Sequence, residues 1–420
     1  MPQSADLPDV SRPFDVAIAG AGLAGAALAL GLAKAGARVA LVDAGRFPRE
    51  KLCGEFLSPE AWGALERLGV ADEVAGSGYQ PIRRVRLTTP RGTVLEAEIV
   101  GPDGLPGIGL SRWALDDLLV RRARAAGVSV FEGTRVGGPI VEGGRVVGLA
   151  ARHATAGPVE VRAAVTVAAD GRHSALVRRT GTTWGRSWLR PPTFGLKRHL
   201  TIADPDAAEP EGTVGLHAIR GGYVGTCRIE GALTNLCALL PESAARRHRG
   251  DLDRLAAADF PGNPTLGRLW SASVPAGAWK AVSGVRVEAS TPRLGGIFYA
   301  GDCRGTVDPL GGQGMTMALL GAEALAPFLR SALLPDAPVD RLQVAAAAAW
   351  NRRFDRRVRL CRLFHHALTR PTLLDLAPTL RSLAPRVLAA CYHATREPAG
   401  RPATPRPSRD GPSPSRRGGP

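Results

Sequence analysis

The residues best suited to chemistry are three glycines and an aspartate near the N-terminus: Gly20, Gly22, Gly25 and Asp43. The glycines follow an apolar run in a Gly-x-Gly-x-x-Gly pattern, and an Ala/Leu-rich stretch separates them from a second apolar run ending in the aspartate. Such glycines bring backbone N–H groups at a helix N-terminus close to a pyrophosphate, and the acidic residue accepts hydrogen bonds from a ribose. The pattern predicts an adenine dinucleotide site on a strand–turn–helix–strand unit.

The length and apolar character of this segment also allow a signal peptide or a membrane span. Asp15 precedes the run where a signal peptide would carry positive charge, and Lys34 and Arg38 interrupt it. We therefore favour the dinucleotide site.

Two later segments combine glycine with a carboxylate at the end of an apolar run. The first is Asp170-Gly171 after an apolar strand pattern, and the second is Gly301-Asp302. The second continues into a glycine-rich loop that precedes a helical pattern; its glycines are Gly311, Gly312 and Gly314. An ordinary glycine turn is the alternative interpretation of the loop, but the preceding Gly-Asp pair favours a ligand site.

Taken together, these segments resemble the FAD-dependent class A flavin monooxygenases, built like para-hydroxybenzoate hydroxylase, and the related geranylgeranyl reductases. The resemblance covers residues 14–335. It implies FAD as the cofactor, and it implies the following cofactor-binding residues: Gly20, Gly22, Gly25, Asp43, Arg112, Asp170, Gly171, Gly301, Asp302, Gly311, Gly312 and Gly314.

The resemblance also suggests separate roles for these residues. The first fingerprint would bind the adenylate half of FAD, Asp302 the ribityl chain, and Asp170 with Gly171 would lie near the pyrophosphate. Arg112 matches an arginine at the start of a helix that touches the cofactor, although a solvated helix cap is the alternative. A helix starting near Gly314 would direct its positive end at the flavin, stabilising a reduced anionic ring by roughly 0.3–2 kcal/mol.

The motifs divide between two flavin chemistries. Gly305 after the Gly-Asp motif is typical of the reductases, and Pro48 to Gly54 matches the reductase Pro-x-x-x-x-Cys-Gly motif; Gly312-Gln313-Gly314 is hydroxylase-like. Of the reductase aromatic motif only Tyr223 remains, and the halogenase Trp-x-Trp-x-Ile-Pro motif is absent.

Cys53 and Glu55 are the candidate catalytic residues. The thiol would tune the flavin or assist proton transfer, and the carboxyl group would supply a proton. A small buried cysteine and a surface glutamate are the alternative interpretation.

The sequence therefore predicts an FAD-dependent oxidoreductase, in the first place an NAD(P)H-dependent monooxygenase that hydroxylates an apolar aromatic, quinone or polyketide-like molecule. Reduction of isoprenoid double bonds is the alternative, and a non-catalytic flavin-binding protein is a third hypothesis. Because one complete fingerprint is present, we expect NAD(P)H to bind transiently near the flavin rather than in its own domain.

Charge and cysteine content limit the partners and the cellular compartment that the sequence allows. The net charge is +16, of which +12 comes from residues 341–420, where sixteen arginines face four acidic residues. This Arg-rich region, with Trp350, Phe354 and Val358 at helical spacing, suggests either peripheral membrane contact or a helix packed on the body with a solvated Arg face. No nucleic-acid module accompanies it. Six scattered cysteines indicate neither a disulfide framework nor a metal site, and fit a cytoplasmic protein. This protein would be membrane-associated if the basic C-terminal helices bind a membrane surface.

The predicted fold class is α/β: a Rossmann-like βαβ FAD-binding domain interleaved with a mostly antiparallel β-sheet substrate domain, plus C-terminal helices. The predicted divisions are a flexible leader (1–12), the first part of the FAD-binding domain (13–184, with inserted strands near 80–105), the substrate-domain sheet (185–290), the last part of the FAD-binding domain (291–335), a basic helical region (336–396) and a disordered tail (397–420).

Overall fold

The computed structural model describes residues 7–101, 103–180, 183–184, 193–285, 290–291, 294–368 and 384–396. Part of the predicted leader and the whole predicted tail at 397–420 lie outside the described residues. None of the helices within these ranges combines the length and the hydropathy needed to cross a membrane.

Twenty strands are described. They are β1 (Phe14–Ala19), β2 (Val39–Val42), β3 (Phe56–Leu57), β4 (Gln80–Ile82), β5 (Arg84–Thr88), β6 (Val94–Glu98), β7 (Gly107–Gly109), β8 (Ser129–Phe131), β9 (Thr134–Glu142), β10 (Arg145–His153), β11 (Gly157–Ala168), β12 (Thr183–Trp184), β13 (Thr193–Ile202), β14 (Thr213–Ile219), β15 (Gly222–Arg228), β16 (Thr234–Pro241), β17 (Ser273–Pro275), β18 (Lys280–Val285), β19 (Ser290–Thr291) and β20 (Ile297–Tyr299).

The described α-helices are α1 (Leu23–Lys34), α2 (Ala61–Leu68), α3 (Ala71–Ala75), α4 (Arg112–Ala125), α5 (Ala175–Arg179), α6 (Glu242–Arg247), α7 (Leu252–Asp259), α8 (Pro264–Ser271), α9 (Gly314–Ala332), α10 (Val339–Leu368) and α11 (Ala384–Ala394). Short 3-10 helices cover Pro205–Ala207, Phe260–Gly262, Gly301–Cys303 and Pro309–Gly311.

The first sheet carries the dinucleotide fingerprint. Its parallel part has the order β8-β2-β1-β11-β20, and the first half of β11 pairs antiparallel with the β9–β10 hairpin. Helices α1, α4 and α9 pack together on it, because β2 and every residue of β1 except Asp15 are apolar and have to be covered on both faces. This arrangement confirms the predicted α/β class.

The second sheet has eight strands in the order β17-β13-β16-β15-β14-β5-β6, with β18 also pairing with β13. All its pairs are antiparallel except that of β14 with β5. The strands inserted near 80–105, β5 and β6, therefore extend this second sheet. Helices α6, α7 and α8 cover one face of this sheet. The sequence pattern did not indicate these helices.

Candidate active site

Four motif segments meet at one edge of the first sheet. Gly20 follows β1, Asp43 follows β2, Asp170 follows β11, and Gly301 follows β20. Because these strands are parallel, their carboxyl ends lie side by side, and this edge is where open α/β sheets bind their ligands. Segments separated by almost three hundred residues thus form one site.

The three glycines of the fingerprint have different tasks. Gly20 has φ 98°, and a Cβ added to it would lie 2.4 Å from the carbonyl oxygen of Ala169. A Cβ on Gly25 would lie 1.8 Å from the carbonyl oxygen of Gly20, so this glycine allows α1 to pack against β1. Gly22 precedes α1 as its N-cap and lines the cavity. Gly22 is therefore the glycine placed to approach a ligand, while the other two shape the turn.

Asp43 fixes the turn as well as marking the end of β2. Its Oδ2 accepts hydrogen bonds from the backbone N–H of Ala21 (2.8 Å) and from Arg49 (3.0 Å), and its Oδ1 accepts one from the N–H of Gly45 (2.7 Å). A carboxylate has about four acceptor positions, so Oδ1 retains one. Asp43 is not among the residues that line the cavity, and its contact with a ribose stays a prediction.

Two cationic side chains lie beside Gly22 in the cavity wall. A Cβ added to Gly22 would lie 3.6 Å from Nη2 of Arg112 and 3.8 Å from Nζ of Lys51. Arg112 is 5% exposed and forms a two-point ion pair with Asp116 (both 2.7 Å). No described residue accepts a hydrogen bond from the Lys51 ammonium, and burial together with the Arg112 charge lowers the pKa of Lys51.

These groups fit the pyrophosphate of FAD. A half-buried ammonium is unfavourable without an anion, and Lys51 stands beside Gly22 at the N-terminus of α1, where the helix dipole also favours negative charge. Lys51 occupies an unspecified position of the Pro-x-x-x-x-Cys-Gly motif, so the resemblance assigned it no role. The signal that could have found it was a lysine two residues before the cysteine of that motif.

Replacing Lys51 by methionine should weaken FAD binding about tenfold or more, because a hydrogen bond to a charged group contributes about 1.5–3 kcal/mol. The measurement is an equilibrium titration of the stripped protein with FAD. Lys280→Met is the matched control: this lysine is 43% exposed, pairs with Glu50 and does not line the cavity. Equal affinities of both variants would contradict the role of Lys51.

The Asp-Gly motif differs from its predicted role. Asp170 does not line the cavity; its Oδ2 accepts a hydrogen bond from the N–H of Ala175 (3.0 Å), and its Oδ1 one from the Cys303 thiol (3.4 Å). Gly171 does line the cavity, with φ 83°. Gly171 is therefore the residue of this motif that borders the cavity, whereas Asp170 accepts a hydrogen bond from the first residue of α5 and contacts Cys303 in the loop after β20.

The Gly-Asp motif and the glycine-rich loop form the next part of the wall, where Gly301, Asp302, Gly311, Gly312 and Gly314 all line the cavity. Asp302 thus borders the cavity, and its contact with the ribityl chain stays a prediction.

The loop packs tightly: Gly312 has φ 59°, and a Cβ there would lie 2.8 Å from the Phe56 ring. Because α9 begins at Gly314, its N-terminal N–H groups border the same cavity. This position fits the predicted stabilisation of an anionic ring.

Glu55 is the centre of a buried charge cluster. It is 0% exposed; its Oε1 accepts hydrogen bonds from Lys197 (2.5 Å) and from the backbone N–H of Arg112 (2.9 Å), and its Oε2 pairs with His199 (2.7 Å). Lys197 and His199 lie on β13, so the cluster joins the second sheet to the cofactor cleft.

The structure does not support Glu55 as a proton donor. Burial alone would raise the pKa of its carboxyl, but the His199 hydrogen bond and the Lys197 charge outweigh burial and lower it. The carboxylate is therefore ionised at neutral pH and has no proton to give. Its backbone has φ 55°, a conformation that residues other than glycine rarely adopt, and its three hydrogen bonds hold it there.

Cys53 belongs to the segment that connects Lys51 to Glu55. It lines the cavity wall, its Sγ accepts a weak hydrogen bond from the N–H of Glu55 (3.5 Å), and its carbonyl accepts one from Nδ2 of Asn235 on β16 (3.0 Å). Cys237, on β16 of the second sheet, lines the same cavity. Cys53 thus stands where the segment that follows Lys51 meets the second sheet.

The cavity measures about 600 Å³ and continues from the cleft into an apolar chamber. The chamber is lined mainly by aliphatic and aromatic residues: Val85, Leu87, Leu95, Ile99, Val214, Leu216, Tyr223, Leu239, Leu310, Phe364, Leu388 and Tyr392. Such a volume and lining suit a lipophilic molecule held next to the cofactor.

The C-terminal helices belong to the body of the protein. Phe354 is fully buried, and Trp350 and Val358 pack against the same core. Arg357, 4% exposed, pairs with Glu60 (2.8 Å). The apolar side chains that suggested a membrane-facing surface are thus covered, as the packed-helix alternative expected. Membrane contact stays a prediction that would require other residues, such as the exposed Leu363.

Comparisons with known proteins agree with this geometry. Residues 13–188 match the FAD binding domain family. The chain is 30% identical over 354 residues to menaquinone reductase of Mycolicibacterium smegmatis, covering 77% of this chain and 78% of that protein. It is 33% identical over 175 residues to 6-methylpretetramide 4-monooxygenase of Streptomyces rimosus, covering 41% and 42%. The myxobacterial chondrochloren halogenase CndH has the same fold, with a TM-score of 0.76 at 19% identity over 91% of this chain and 97% of the other.

The chain therefore belongs to the family of FAD-binding oxidoreductases that contains these reductases and monooxygenases. It is an FAD-dependent oxidoreductase, as the three motif segments predicted.

Proposed function

We propose that this oxidoreductase uses NAD(P)H to reduce a carbon–carbon double bond in a lipophilic molecule of the quinone or isoprenoid type. The observation that carries the proposal is the position of Cys53, in the wall between the cofactor cleft and a large apolar chamber. The motif around Cys53 is reductase-like, and the relatives that match most of the chain include menaquinone reductase. For these reasons we place reduction ahead of the hydroxylation that the sequence put first.

The reaction adds one hydride equivalent and one proton to the double bond. NAD(P)H is oxidised to NAD(P)⁺, two C–H bonds replace the second bond of the alkene, and bound FAD supplies the two-electron chemistry that connects them. Gly22, Lys51 and Arg112 would hold the pyrophosphate, and Asp302 the ribityl chain. The Cys53 thiol would deliver the proton.

Hydroxylation is the second candidate. The Gly312-Gln313-Gly314 loop and the match of part of the chain to a monooxygenase favour it. In that reaction one atom of dioxygen enters the product and the other leaves as water.

Product mass distinguishes the two reactions. We suggest incubating the holoenzyme anaerobically with NAD(P)H and menaquinone, and then re-oxidising the quinone ring in air before mass analysis. Reduction of a tail double bond leaves the product two hydrogen atoms heavier after re-oxidation, whereas reduction of the ring alone does not. Product that forms only in air and carries labelled oxygen from dioxygen would favour hydroxylation and contradict the proposal.

A further inference from the structure

One part of the chamber wall is polar, and it comes from the C-terminal segment. Tyr392 lies on α11, and Arg396 follows that helix by two residues. The guanidinium carbon of Arg396 lies 3.9 Å from the centroid of the Tyr392 ring, and both side chains line the cavity. The stacked cation and phenol thus form a polar part of a chamber wall that is otherwise mainly aliphatic and aromatic.

Two buried atoms of this pair lack hydrogen-bond partners. They are the hydroxyl oxygen of Tyr392 and Nε of Arg396, and neither has a partner within the described part of the chain. Buried polar atoms are normally satisfied, so an unpaired phenol and an unpaired guanidinium N–H beside a cavity indicate an oxygen acceptor supplied by a ligand. Burial also raises the pKa of Tyr392, which keeps the phenol protonated and able to donate.

The pair is held in position by the cofactor loop. Nη1 of Arg396 donates to the Thr395 hydroxyl (2.5 Å), and Nη2 donates to the Gly311 carbonyl (3.4 Å). Gln313 also reaches the Thr395 hydroxyl (3.5 Å). These contacts use two of the five guanidinium N–H donors, so Nε is one of the three that remain, and they connect the pair to the loop that borders the flavin end of the cleft.

The local charge is also uncompensated. The nearby carboxylate of Glu60 already pairs with Arg357 at 2.8 Å and 3.1 Å. Among the residues that the structure describes, no carboxylate forms an ion pair with Arg396, so its positive charge is available to an anionic or strongly accepting oxygen.

We propose that Tyr392 and Arg396 form a polar subsite that receives a carbonyl or enolate oxygen of the substrate. The inference rests on the proposed function only in taking the apolar chamber as the substrate site. It narrows the substrate class to lipophilic molecules with an oxygenated ring, such as quinones and polyphenols, and disfavours plain hydrocarbons. Tyr392 and Arg396 would thereby set the orientation of the ring relative to the cofactor.

The test uses the oxidised holoenzyme and two probes of the same carbon skeleton, menadione and methylnaphthalene, with binding followed by the change in visible flavin absorbance. Arg396→Met should weaken menadione binding about tenfold or more, and Tyr392→Phe about fivefold, with methylnaphthalene unaffected. Arg386→Met, at an exposed position on α11, is the matched control and should leave both affinities unchanged.

Several results would overturn the inference. Unchanged menadione affinity in Arg396→Met would do so, and so would an equal loss for both probes, because that indicates a packing role. Wild-type protein that binds neither probe would also contradict it. Since the assay needs no turnover, an absence of NAD(P)H-dependent product with normal discrimination between the probes would count against the proposed reaction alone.

Discussion

Replacing Glu55 by glutamine is expected to lower the free energy of unfolding of the holoenzyme by about 3 kcal/mol, because removing one partner of a buried ion pair leaves an uncompensated charge. The charge left behind is Lys197, which is 1% exposed. Glu50→Gln is the matched control. Glu50 pairs with Lys280 at 3.2 Å, the two side chains being 32% and 43% exposed, and such a pair contributes less than about 1 kcal/mol. Urea denaturation of the variants measures the difference.

A second variant separates the charge effect from the general loss of a buried contact. Lys197→Met, added to Glu55→Gln, removes both charges, and we expect it to recover at least half of the lost stability. Similar losses in Glu50→Gln and Glu55→Gln, or no recovery in the double variant, would contradict the account of this cluster.

The same cluster gives a pH dependence with a definite sign. Folding lowers the pKa of Glu55 below its ordinary value of 4.5, so the stabilisation is present above that value and is lost as the pH falls through it towards the folded-state pKa. Wild-type protein should therefore lose stability below about pH 4.5 more steeply than Glu55→Gln. Parallel stability profiles for the two proteins would show that Glu55 does not titrate in this way.

Replacing Cys53 by alanine should slow substrate reduction about 100-fold, since a positioned proton donor typically contributes between about 100-fold and 10,000-fold. FAD content and the rate of flavin reduction by NAD(P)H should be unchanged, because the thiol acts only on the substrate. Anaerobic stopped-flow measurement of the visible flavin absorbance separates the two half-reactions.

Cys237→Ala is the matched control for Cys53→Ala. Cys237 lines the same cavity, but burial and neighbouring charges raise its pKa to about 12, and it lies on the second sheet. We expect this variant to reduce substrate at the wild-type rate. If both alanine variants slow the same half-reaction equally, or if Cys53→Ala slows only the NAD(P)H half-reaction, the proton-donor role is wrong.

The local motifs made the cofactor cleft predictable from the sequence. The fingerprint at Gly20–Gly25 and the Gly-Asp pair at 301–302 each sit at the end of a buried strand, and strand ends in a parallel sheet necessarily meet. The division into a parallel and a mostly antiparallel sheet followed from the change in apolar patterning near residue 185. These inferences depend on near neighbours in the chain, which a single sequence displays.

The remaining features depend on contacts between distant segments. Glu55 looks like a surface carboxylate in the sequence; its partners Lys197 and His199 lie more than one hundred residues away on β13. The placement of β5 and β6 in the second sheet depends on the parallel pairing of β5 with β14. Composition marked residues 336–396 as a basic appendage, whereas Phe364, Leu388 and Tyr392 form part of the chamber wall. No local pattern specifies such long-range pairings.

The most direct test of the account is the binding stoichiometry of FAD, measured by titrating stripped, folded protein and following the visible absorbance of the bound cofactor. We predict saturation at one FAD per chain, with Lys51→Met reaching the same ratio at a higher FAD concentration. Folded protein that takes up no FAD, or that binds it equally well without the Lys51 ammonium, would contradict the claim that four strand ends and this lysine form the cofactor cleft.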